Sequence, residues 1–293
     1  LGNLETPIAL TNTLNVFDAA GALVDYMLSL PGNEKVRSVN PVAGETNDGW
    51  LNDIRGRHVQ RSDVLEALSS ASAGSVAEGN VGAGTGTLCL GYKGGIGTSS
   101  RVVPPSRGGY TVGVLVQTNF GGILNINGAP VGQALKKKAV ASLDDHRASP
   151  DDQKASLETY QEDGSCMIVV ATDAPLSARN LERLARRSFL ALGRVGSYMS
   201  NGSGDYAIAF STHPECRIPH QGKDPVRKLS ELENDQLSPL FQAVVEATEE
   251  AIYNSLFVAE DMVGQKGRTA GALPLEHTLE ILDRHGARNP LIP

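Results

Sequence analysis

The sequence predicts an α/β or α+β protein, on three observations: short apolar runs rich in β-branched residues, amphipathic stretches with helical spacing, and alternation of the two along the chain. Pro7-Ile8-Ala9-Leu10-Thr11-Asn12-Thr13 reads as a strand running into a helix over Phe17 to Leu30. From Gly74 to Gly122 the chain is glycine-dense and interleaved with β-branched residues, as in Gly108-Gly109-Tyr110-Thr111-Val112-Gly113-Val114-Leu115-Val116, which predicts buried strands with tight turns. Lys136 to Gly164 then turns polar and charged, with Lys136-Lys137-Lys138 and Ser149-Pro150-Asp151-Asp152, and reads as an exposed, mobile segment. Ser165-Cys166-Met167-Ile168-Val169-Val170-Ala171 returns sharply to a buried strand, and Asp173-Ala174-Pro175 predicts the cap of a helix carrying Leu181, Leu184, Ala185 and Leu192. Asn201-Gly202-Ser203-Gly204-Asp205 predicts a turn into the strand Tyr206 to Ser211. An amphipathic helix with Leu237, Leu240, Phe241, Val244, Val245, Ala251, Ile252 and Leu256 on one face follows.

At 293 residues, 40% hydrophobic and 20% charged, the chain is long enough to bury a full core. A net charge of -7 without a long basic run argues against nucleic acid or an anionic membrane surface as a partner. No apolar stretch of about 18 residues is present, so no membrane span is expected. Cys89, Cys166 and Cys216 are scattered, without Cys-x-x-Cys spacing, which argues against a disulfide framework or a structural zinc site and for reduced thiols. No basic start precedes an apolar run at the N-terminus, and the compartment stays open between cytoplasm and periplasm.

Familiar motifs are missing. Gly82, Gly84 and Gly86 lack the dinucleotide spacing, and Gly91 to Gly97 is not completed into a phosphate loop. The histidines show no His-Glu-x-x-His, and there is no Gly-x-Ser-x-Gly elbow, so neither a metal nor a cofactor is expected. What remains is the loop-to-strand junction Gly164-Ser165. A serine freed at a new N-terminus carries an α-amine with an ordinary pKa of about 7.7 to 8.0, so one residue can be both nucleophile and base. By spacing alone, Gly-Ser at a loop edge is more often a mere turn.

Six stretches change the weights: 7–13, 44–53, Gly94-Gly95-Ile96-Gly97-Thr98-Ser99-Ser100-Arg101, 113–119, Gly164-Ser165 and 201–205 resemble, in order and character, the DmpA/BapA family of self-processing N-terminal-serine aminopeptidases. The resemblance implies a four-layer αββα sandwich of N-terminal-nucleophile hydrolase type, with two packed sheets. It implies cleavage into an α-subunit portion, 1–164, ending in a flexible linker over 136–164, and a β-subunit, 165–293, that together form one structural domain. It further implies assembly of these units into a homo-oligomer, tetrameric by resemblance, and an opening family segment with no counterpart before Leu1. The implied activity is release of small N-terminal residues, whether L-amino acids, D-alanine amides and esters or β-amino acids, from small peptides and amides.

Carried over residue by residue, Ser165 matches the nucleophile, exposed by autocleavage at Gly164-Ser165. Ser203 and Asp205 match a hydroxyl and carboxylate that manage its proton, with the Asp one methylene shorter than the glutamate of some members. Asn119 matches an oxyanion donor. Glu45 matches the acid that holds the substrate's ammonium. Trp50 stands where the family pattern has tyrosine, leaving either an altered pocket or a donor supplied elsewhere, for instance by Tyr92. Plainer readings stand beside these: Ser203 and Asp205 as turn residues, Glu45 with Asp48 and Asp53 as a solvated acidic loop or weak cation site, and Asn119 as a partner for buried backbone. Cys166 should face away from Ser165, into the core. Two other functions are weighed: an ornithine-acetyltransferase-like acyl transferase, which wants threonine at the junction, and an inactive binding protein on the same scaffold.

Overall fold

The computed structural model describes residues 3–136, 164–219 and 226–288. The segment expected to be mobile therefore lies almost wholly outside the described residues.

Strand β1 (Ile8–Asn12), helix α1 (Val16–Ser29) and strand β2 (Val42–Thr46) form one unit in which β1 and β2 pair in parallel. Helix α2 (Arg61–Ser70) packs on α1. The glycine-rich stretch contributes a short antiparallel hairpin, β3 (Leu88–Cys89) with β4 (Tyr92–Lys93), and then β5 (Ile96–Val102) and β6 (Thr111–Asn119). After these come β7 (Ser165–Thr172), α3 (Ala178–Val195), β8 (Gly204–Ser211), α4 (Ser238–Phe257) and α5 (Leu275–Arg284). Strands β5, β6, β7 and β8 lie side by side in that order. The first three are antiparallel, and β8 joins β7 in parallel after the α3 crossover.

Two-residue alternation sorts the central sheet into two faces. Val112, Val114 and Val116 of β6 and Cys166, Ile168 and Val170 of β7 are buried in one core with Leu184 and Leu192 of α3 and Leu240, Val244 and Ile252 of α4. The opposite face turns toward β1 and β2. There Gln117 donates its amide to the Thr11 carbonyl at 3.0 Å and the Thr46 hydroxyl at 2.7 Å, and Gly44 lies against Met167. Helix α1 covers the far side of the β1–β2 pair, with Ala19, Ala22 and Leu23 buried. The layers run α3/α4, four-stranded sheet, β1–β2 pair, α1/α2, which is the αββα order the resemblance implied.

The junction of α4 with the sheet is tight enough to exclude a methyl group. A Cβ on Gly97 would stand 1.9 Å from the Ala251 carbonyl oxygen. Gly97→Ala is expected to destabilise the fold by about 1–3 kcal/mol through overpacking. Thermal melting measures this, and an unchanged melting temperature would show that the helix can move away freely.

One element starts later than its sequence signal. Helix α3 begins at Ala178, capped by the Ser177 side chain, which accepts from the Asn180 N–H. Asp173 does not cap it, because its carboxylate accepts the Thr111 N–H at 2.7 Å and so closes the end of β6 instead. Cys166 is buried as expected, Cys89 is buried too, and Cys216 is half-buried.

Candidate active site

Ser165 opens β7 and Asn119 closes β6, and the antiparallel register sets the two directly opposite each other. On the other side of Ser165 the parallel register places Gly204, with Ser203 before it and Asp205 after it. Three strand ends thus converge on one peptide, Gly164-Ser165. With that bond intact, the Gly164 carbonyl oxygen accepts the Ser165 hydroxyl at 2.8 Å and the Gly204 N–H at 2.9 Å. A side chain at 164 has no room, since a Cβ would stand 2.5 Å from both the Asn119 carbonyl oxygen and the Phe120 Cα. The glycine before the serine is therefore a packing requirement as well as a turn signal.

Ser203 donates its hydroxyl to Asp205 Oδ2 at 2.8 Å. The other carboxylate oxygen, Oδ1, is buried without a hydrogen-bond partner. Burial holds the Asp205 carboxyl above its ordinary range, against the opposing pull of the Ser203 hydroxyl and the nearby Cys166 amide. Asp205 is the register partner of Cys166, not of Ser165, so its side chain leaves β8 on the helix-facing side while Ser165 faces the other way.

Asn119 is almost fully buried, and both ends of its amide are fixed. Its Oδ1 accepts the Leu88 N–H at 3.1 Å, and its Nδ2 donates to the Asn47 carbonyl at 2.9 Å. Asn47 begins the loop after β2, and the next residue, Asp48, is buried with both oxygens bonded by the Asn52 amide at 3.1 Å. Burial raises the Asp48 carboxyl, with the Asn52 bonds acting against it.

The other sequence-derived candidates stand apart from this network. Gly44 and Thr46 face the central sheet, so alternation turns Glu45 away from it, and its carboxylate accepts the Thr13 hydroxyl. Trp50 is partly exposed with the Arg268 guanidinium 4.4 Å above its ring, and Arg268 also donates to the Trp50 carbonyl at 3.1 Å. Tyr92 packs against the hydrophobic core, where burial pushes its phenol up to about 12. The structure brings together Gly164, Ser165, Asn119, Ser203 and Asp205, and it does not bring Glu45, Trp50 or Tyr92 into their hydrogen bonds. The Gly204 amide, the Asn47 carbonyl and the Leu88 amide had no sequence signal, because any residue supplies those backbone atoms. Among the described residues, no group of three or more His, Cys, Asp or Glu side chains is placed to hold a metal ion.

Comparison with known proteins gives the family. The model of peptidase family S58 matches residues 1–270. A β-peptidyl aminopeptidase, BapA, from Sphingosinicella microcystinivorans is 41% identical over 97% of this chain and 70% of its own length. A solved Burkholderia β-aminopeptidase superposes with a TM-score of 0.83 at 38% identity, covering 98% of this chain and 76% of that one. The L-aminopeptidase D-Ala-esterase/amidase of Ochrobactrum anthropi, described as a prototype of the serine aminopeptidases and a variant of the Ntn hydrolase fold, gives 0.81 at 36% identity, covering 95% and 73%. With a glycine-serine junction at the meeting point of three strands and these relatives matched along nearly all of it, the chain belongs to peptidase family S58 and is a serine aminopeptidase.

Proposed function

We propose that this serine aminopeptidase cuts itself between Gly164 and Ser165 and then uses Ser165 as the N-terminal nucleophile for releasing small N-terminal residues from peptides and amides. The observation that carries the reading is the doubly held Gly164 carbonyl: the hydroxyl that would attack it and an N–H that would stabilise the resulting oxyanion are both already in place. In the cut, Ser165 Oγ bonds the Gly164 carbonyl carbon and the C–N bond breaks. The nitrogen takes a proton, and an ester links Gly164 to Oγ until water hydrolyses it. The products are a carboxylate at Gly164 and a free amine on Ser165.

That amine, with an ordinary pKa of about 7.7 to 8.0, takes the hydroxyl proton near neutrality during each later attack. Ser203 and Asp205 are assigned the management of this proton, on the support of the Ser203 hydroxyl that already donates to Asp205 Oδ2. Asn119 is assigned the oxyanion of the substrate, using the amide proton not committed to Asn47. Glu45 is assigned the substrate's ammonium and Trp50 its flank. The support for Glu45 is that it lies two residues before Asn47, the residue bonded to Asn119. On this reading residues 1–164 and 165–293 are the α and β subunits of one structural domain, and these units assemble as a homo-oligomer. The relatives named for β-peptides and for D-alanine esters and amides make β-amino acids and D-alanine derivatives the first substrates to try.

Intact-mass spectrometry of the purified protein, paired with assays on β-alanyl dipeptides and a panel of amino-acid p-nitroanilides, tests this reading. The expected result is one chain ending at Gly164 and another beginning at Ser165, with hydrolysis confined to substrates that have a free N-terminal amine. Normal turnover by an uncut chain would overturn it.

A further inference from the structure

Lys93 is wholly buried, yet nothing in the chemistry above uses it. Its ammonium donates to the Gly94 carbonyl at 2.7 Å and the Gly84 carbonyl at 2.9 Å, with no carboxylate among these acceptors. A buried ammonium held only by carbonyls is costly to keep, so its surroundings must compensate. The titratable groups facing it are Asp48, from the loop after β2, and the Cys89 thiol on β3.

Asp48 and Cys89 each adjoin in sequence a residue that holds Asn119. Asp48 follows Asn47, whose carbonyl takes the Asn119 amide. Leu88, whose N–H holds the other end of that amide, is the direct register partner of Lys93 in the β3–β4 hairpin. Gly84 closes the turn before the hairpin, and Gly94 leaves it. We propose that Lys93 in its ammonium form is a positioning residue for Asn119, pinning from behind the two loops whose Asn47 carbonyl and Leu88 amide aim the Asn119 side chain. The inference rests on the reading of Asn119 as oxyanion donor.

Burial lowers the Lys93 pKa to about 8, against the attraction of the Asp48 carboxylate. The lysine therefore loses its charge above about pH 8, and the buried Asp48 carboxylate loses the cation beside it. Between about pH 8 and the ordinary lysine value the folded chain holds fewer protons here than the unfolded chain, so this titration raises folding stability as pH rises. An alkaline fall in kcat from Lys93 is thus a loss of aim and not of fold.

The test is a double-mutant cycle on the processed enzyme with an amino-acid p-nitroanilide, joined to a pH profile. Lys93→Met is expected to lower kcat about tenfold with KM changed less than about twofold. In the Asn119→Ala background the same change is expected to cost less than about twofold, because the side chain it aims is gone. Additive losses overturn the role of Lys93 alone, whereas undiminished kcat in Asn119→Ala sinks the oxyanion reading and the inference with it.

The wild-type profile needs no variant. The expected result is kcat falling above about pH 8 while the melting temperature does not fall with it, and a flat kcat to about pH 10 overturns the proposal. Lys93→Arg, which keeps its charge throughout, is expected to move that alkaline limb beyond about pH 10. A limb left in place would assign it to another group.

Discussion

Ser165→Ala is expected to run as one uncut band and to lose aminopeptidase activity by about six orders of magnitude, the scale of nucleophile removal in serine hydrolases. The wild-type chain is expected to run as two bands of about 17 and 14 kDa, its 30.9 kDa shared in proportion to the 164 residues before Ser165 and the remainder. The loss is this large because one oxygen serves two reactions. It is the atom within 2.8 Å of the Gly164 carbonyl oxygen before cleavage, and after cleavage it is the group beside the new amine. Alanine removes the attacking atom in both and disturbs little else, since Ser165 makes no other side-chain hydrogen bond among those described. Denaturing electrophoresis and a rate assay are sufficient measurements, and an alanine variant still cut at the same bond would remove Ser165 from the mechanism.

Asn119→Ala is expected to lower kcat about 10²–10³-fold, near 3–4 kcal/mol of transition-state stabilisation, with KM changed far less. An amide that is 7% exposed and fixed at both ends is already oriented when charge develops on the substrate oxygen, so it needs no reorganisation at that moment. Its removal also leaves the Leu88 N–H and the Asn47 carbonyl without their partner, at a stability cost of about 1–3 kcal/mol. The two effects separate experimentally: kcat is read on folded, processed protein, and stability is read from a urea midpoint. A variant that loses stability and keeps its kcat would make Asn119 a structural residue, the plainer of the two roles open to it.

Much of the chemistry was legible in one dimension. A hydrophobic run beginning directly after Gly-Ser identifies a strand with serine at its first position, because a two-residue period needs no tertiary information. The same period separates Cys166 from Ser165, and the Asn-Gly-Ser-Gly-Asp turn keeps the Ser203 hydroxyl within reach of Asp205, since the partners lie only two residues apart. Asn119 was identified through resemblance, and its position opposite Ser165 came from the β6–β7 register.

What the linear order could not decide is which groups meet after long excursions of the chain. Asp173 carries a helix-capping signal, but the β6–β7 pairing brings the Thr111 N–H to it and the carboxylate closes that strand end, leaving Ser177 to cap the helix. The Thr13 hydroxyl that Glu45 accepts had no sequence signal, because the packing of Gly44 and Thr46 on the central sheet is what turns Glu45 toward it. Lys93 reads as an ordinary polar residue in a glycine-rich stretch until the hairpin buries it opposite Leu88. Residue type and local period therefore determined the strand and the serine at its head, and only the family resemblance marked that serine as a candidate nucleophile and Ser203 and Asp205 as more than turn residues. Register and burial decided everything else, because a hydrogen bond or a pKa depends on which groups share a few ångströms of low-dielectric space, and only the folded chain sets that.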